Sequence, residues 1–138
     1  MKKMLFAFVA LFFATFSFAQ IEGKWKTIDD ETGKPKSIVE IFKKSDGKYY
    51  GRISQLLIKP ENNNCVKCKD DRKNKPLVGL EIIRGLKKDG NEFTGGTITN
   101  PKDGKTYNTA VVRNGNTLAV KAIVLGIAVK TQTWHLVK

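Results

Sequence analysis

The residues with most chemistry to offer are Cys65 and Cys68, a C-x-x-C pair and the only two cysteines of the chain. Such a pair can be a disulfide, half of a metal site or a redox couple. Zinc wants about four ligands, and the single histidine, His135, stands far along the chain with no third thiol to help. A redox couple gains its low thiol pKa at a helix N-terminus, whereas Lys59 to Pro76, KPENNNCVKCKDDRKNKP, is a polar segment bounded by prolines and reads as a surface loop. The expectation is a Cys65–Cys68 disulfide pinning that loop, with zinc and redox chemistry as the alternatives and no metal site assigned.

Groups for acid–base or nucleophilic catalysis are few. His135 alternates with Thr131 and Thr133 and has no serine or cysteine at a recognisable spacing, and the chain shows neither a nucleophile elbow nor a phosphate-cradling glycine loop. Asp29, Asp30 and Glu31, like Asp70 and Asp71, are adjacent in turn-like sequence, so their side chains diverge and read as solvated. Asp103 belongs first to a Pro-Lys-Asp-Gly turn. This inventory predicts no enzyme and no cofactor.

A binding constellation is better supplied. On a strand, alternate residues share a face, so Lys130, Gln132, Trp134 and Leu136 would look the same way, placing a cation and an amide beside an indole. Tyr49, Gly51 and Ile53 would share a face in the same manner. A few convergent polar groups in an apolar cup are how such cups orient a small ligand. The candidate ligand site is therefore Trp25, Tyr49, Lys130, Gln132 and Trp134, against the plainer reading that both tryptophans plug a core capped by Lys130.

The elements that must position these groups are strands. From Gly23 onward short apolar or alternating runs are broken by Gly, Asp and Asn, with no sustained helical period. Strands are predicted near 23–28, 37–44, 48–57, 79–86, 92–99, 105–113, 117–124 and 129–137. Asp46-Gly47, Asp89-Gly90, Asp103-Gly104 and Asn114-Gly115 tolerate the positive φ of tight connections, so successive strands should be antiparallel neighbours. About eight of them can bury one face and lose their edges by closing into an up-and-down barrel. A two-sheet sandwich is the alternative.

Ahead of this lies MKKMLFAFVALFFATFSFAQ: two lysines, an apolar run and a small-x-small end at Ser17-Phe18-Ala19. It reads as a cleavable secretory signal over 1–19, too short to span a bilayer, with Gln20 where a lipoprotein would carry cysteine. Residues 20–138 are expected to be a single exported domain, periplasmic or secreted. With 25 basic against 13 acidic residues and a formal charge of +12, an anionic envelope component is a candidate partner. Specific nucleic acid is not, since lysines beside turns are first of all solvated.

Several short motifs fall in a recognisable order: Gly23-Lys24-Trp25, Ile38-Val39-Glu40-Ile41, Tyr50-Gly51-Arg52-Ile53, Cys65-Val66-Lys67-Cys68, Lys75 to Leu80, Gly95-Gly96-Thr97-Ile98, Pro101 to Tyr107, and Thr131-Gln132-Thr133-Trp134. In this order they resemble the exported bacterial family called domain of unknown function 2147, over nearly the whole chain after the signal. The resemblance implies a lipocalin-like barrel and brings no activity with it. It also implies that Trp25, on the lipocalin-like Gly-x-Trp start, packs beside a basic residue of the last strand. Lys130 stands where that family would carry arginine, and Asn100 where aspartate would precede proline. The function expected is binding of a small hydrophobic or amphipathic ligand. The alternative is a cell-envelope interaction module using the basic surface and the 59–76 loop.

Overall fold

A computed structural model describes residues 20–138. The expected signal segment, 1–19, lies outside the described residues. Eight strands follow one another: β1 (Gly23–Ile28), β2 (Pro35–Lys43), β3 (Tyr49–Leu56), β4 (Glu81–Asp89), β5 (Glu92–Asn100), β6 (Lys105–Asn114), β7 (Thr117–Val124) and β8 (Ile127–Leu136). Each pairs antiparallel with the next, and β8 returns to β1 to close the barrel. The all-β, up-and-down reading is what the chain adopts.

Alternation drives closure. In β2 the buried positions Ser37, Val39 and Ile41 are separated by outward Ile38 and Glu40, the period-two pattern of a strand with one face in the core. The glycines of the four turn dipeptides, Gly47, Gly90, Gly104 and Gly115, take φ of 81°, 62°, 73° and 63°. Strands β4 and β8 run further toward their hairpin turns than read from sequence. Lys87, Lys88 and Asp89 keep pairing with Thr94, Phe93 and Glu92, because the two-residue Gly90-Asn91 turn lets the ladder run to its end. At the β7–β8 turn the ladder runs out to Val124↔Ile127, so β8 starts two residues before the expected 129.

The antiparallel order sorts the connections by end. Segments 44–48, 90–91 and 115–116 lie at one end, and 29–34, 57–80, 101–104 and 125–126 at the other. The first end is packed solid. Trp25, Phe93, Leu86, Ile41, Val111, Leu118 and Ile21 are all essentially inaccessible there, and Tyr49 meets Phe93 edge to face with centroids 5.0 Å apart.

The 59–76 segment is the surface loop expected of it, exposed along most of its length, and three of its side chains anchor it inward. Cys65 and Cys68 form a disulfide and both belong to the buried core cluster, since an oxidised pair has no donor left to hydrate. Arg72 is buried too, donating to Asp70 and to the Glu81 carbonyl. Asp71 receives both arms of Arg84 at 2.8 and 2.9 Å. Asp70 and Asp71 stay exposed, as read from sequence, and are ion-paired as well; with Arg72 and Arg84 they tie the loop to β4. The hydrogen bonds from Arg72 hold the Asp70 carboxyl far below the ordinary range.

Candidate functional site

Above the packed end the barrel is hollow. A cavity of about 660 Å3 opens between the loops. Its wall is apolar where the strands supply it, with Ile53, Leu56, Ile82, Ile98, Val120 and Trp134, and the β3–β4 loop adds Leu77 and Val66. Buried polar atoms deeper in the wall are already satisfied: Thr27 Oγ1 lies 2.7 Å from Ser37 Oγ, and Thr99 Oγ1 the same distance from Thr106 Oγ1. Polar groups with capacity to spare gather at the lip.

One relay organises that lip. The Trp134 indole N–H donates to Gln132 Oε1 at 3.1 Å, the Gln132 amide donates to Asp30 Oδ2 at 2.9 Å, and the Lys130 ammonium sits 2.5 Å from the same oxygen. Burial alone would raise the Asp30 carboxyl. The hydrogen bonds from Lys130 and Gln132 outweigh it and hold the group below the ordinary carboxylate range. The relay also has a structural consequence, because β1 and β8 register at just Trp25↔Leu136 and Lys26↔His135. Asp30, on the β1–β2 loop, staples that sparsely paired seam with side chains.

The five residues expected to form a ligand site therefore divide by height. Lys130, Gln132 and Trp134 line the cavity. Trp25 and Tyr49 do not; they belong to the plug at the closed end, where Trp25 is 0% exposed and donates its indole N–H to the Ile21 carbonyl at 2.9 Å. Tyr49 does share its face with Ile53, but that face passes from plug to cavity along β3.

The expected Trp25–Lys130 pairing is corrected in the same way. Trp25 registers with Leu136, so Lys130, six residues up β8, stands about 20 Å away at the strand rise of ~3.3 Å per residue. The cation over the Trp25 ring is Arg113 of β6, 5.3 Å from its centroid. The same guanidinium donates to the Gln20 and Gly115 carbonyls, both at 2.8 Å.

Sequence reasoning took Asp30 for a solvated turn residue and assigned no role to Arg113 or to the loop residues Val66 and Leu77. Counting positions from the turns would have found Arg113, since β1 begins and β6 ends at the same end of an up-and-down barrel. Asp30 had no comparable mark among three adjacent acids. Among the described residues no cluster of three or more His, Cys, Asp or Glu side chains is arranged to hold a metal ion.

Residues 23–136 match the family model described as "Uncharacterized protein conserved in bacteria (DUF2147)". No curated protein matches the chain. Among solved structures, the protein HP1028 from the human pathogen Helicobacter pylori, described as belonging to the lipocalin family, is 25% identical; the match covers 87% of this chain and 84% of that one, with a TM-score of 0.74.

Proposed function

We propose that this chain, which belongs to the uncharacterised bacterial family DUF2147, is an exported binding protein for a small amphipathic molecule carried in the open half of its barrel. The observation that carries this reading is the division of the interior. One half is filled by aromatic and aliphatic side chains, and the other leaves about 660 Å3, inside the ~300–1,000 Å3 range of small-molecule sites. An apolar tail fits against Ile53, Ile82, Ile98 and Val120. A polar head at the lip would meet the Gln132–Asp30–Lys130 relay, together with Lys36 and Lys59, which form no ion pair among the described residues. The lipocalin-like fold points the same way by analogy, which is a weaker warrant than the cavity.

A brominated long-chain fatty acid quenches tryptophan at contact range and separates the two indoles. It should quench Trp134, on the cavity wall, and spare Trp25, in the plug. Quenching should survive in Trp25→Phe and be lost in Trp134→Phe. Saturable quenching that follows Trp25 instead, or none at all, overturns the reading.

A further inference from the structure

The β7–β8 hairpin presents an unusual tip. Val124↔Ile127 is its last pair, and the two turn residues, Leu125 and Gly126, both lie in the left-handed region at φ 51° and 78°. That is the two-residue turn whose positions favour Asn, Asp and Gly. Leucine there carries a steric cost that asparagine or glycine would avoid, and it gains nothing from packing, being 94% exposed. Its neighbours Val124, Ile127 and Val129 are exposed as well, at 41%, 67% and 57%. All residues from Ile127 to Thr131 are exposed, so the ribbon tip stands out from the barrel on both faces.

Across the mouth the β3–β4 loop offers a different chemistry. Residues 57–80 hold six Lys or Arg against three Asp or Glu. Arg72 is spent on Asp70 and Asp71 on Arg84, while Lys59 and Lys67 line the mouth without an ion pair among the described residues. Each follows an exposed apolar residue, Ile58 and Val66. Of the acids at the rim, Asp30 and Glu31 are paired with Lys130 and Lys102, while Asp29, Glu61 and Asp103 form no ion pair among the described residues. Asp29 and Asp103 accept from their own turns.

We infer that the open end of the barrel docks onto a bilayer containing anionic phospholipid, with the Val124–Val129 hairpin tip inserted and the lysines across the mouth on the headgroups. Three residues of ribbon reach about 10 Å at the strand rise, matching the ~5–10 Å depth to which interfacial segments bury their apolar face. Apolar insertion beside unpaired cations is the composition of an interfacial anchor, and juxtaposed lysines are drawn to an anionic surface. A second copy is a poor occupant, because a domain with so large an excess of basic over acidic residues repels its like. The anchored mouth would face the lipid, so a ligand could exchange without crossing water. Docking itself does not require that the cavity bind anything.

Co-sedimentation with vesicles tests this. The protein should pellet with phosphatidylglycerol–phosphatidylcholine vesicles and stay in solution with pure phosphatidylcholine, and raising salt should release it. Leu125→Asn relieves the left-handed leucine, so it should melt no lower than the parent while its bound fraction falls at least tenfold. Leu125→Phe keeps the apolar tip and should keep binding. Failure of the parent to pellet, or equal pelleting of Leu125→Asn, overturns the inference. So does a parent dimer that Leu125→Asn converts to monomer, which would make the tip a protein interface. Fatty-acid quenching of Leu125→Asn in the absence of vesicles should match the parent, keeping a failure of docking distinct from a failure of ligand binding.

Discussion

At the scale of residues, the two tryptophans do different work although both are buried. Trp25 is part of the plug, held by a hydrogen bond to Ile21 and by the Arg113 guanidinium. Removing so large a ring from a dry, close-packed end leaves a void the barrel cannot collapse into, and Trp25→Ala should cost about 3–5 kcal/mol in chemical denaturation. Arg113→Ala should cost less, of the order of the ~0.5–2 kcal/mol of a cation over an indole. Lys130→Ala should change stability by no more than the ~0–1 kcal/mol of a half-exposed ion pair and leave the Trp25 emission alone. A Lys130→Ala penalty larger than that of Arg113→Ala would contradict the assignment of the two cations to opposite ends.

At the scale of elements, the strands were legible because alternation and glycine turns are local properties. Those of β1 and β7 fall where the sequence puts them, and the four glycine dipeptides all turn the chain. The β3–β4 loop was legible as an exposed, disulfide-pinned segment, but its place was not. It folds over the mouth, where the disulfide removes two thiols from water and Arg72 brings its own carboxylate. Its fit is close: a Cβ on Gly104, which also needs its φ of 73°, would land on the Lys67 carbonyl. The ring closed by Cys65–Cys68 is short, so loop entropy accounts for about 2 kcal/mol. The double change Cys65→Ala, Cys68→Ala should lower the melting temperature in the oxidised protein and abolish its sensitivity to reductant. It should also weaken fatty-acid quenching, since Val66 and Lys67 between the cysteines line the cavity. An unchanged melting temperature and affinity would mean the loop holds its place without the bridge.

At the scale of the whole molecule, closure and strand order follow from the sequence pattern, whereas the height of a residue in the barrel had to be counted from the turns. Strand alternation put Lys130, Gln132 and Trp134 on one face, and they do line one cavity. It could not show that Trp25, Tyr49 and Arg113 sit at the opposite end, nor that packing stops halfway. That halfway stop is the basis of the proposed function. The most direct measurement is the affinity of the brominated fatty acid for Ala122→Phe. Ala122 lines the cavity, where an added ring has open space to enter and need not overpack a filled core. The melting temperature should therefore hold while affinity falls at least tenfold. Unchanged affinity in a folded Ala122→Phe protein would contradict the claim that the open half of the barrel is the binding site.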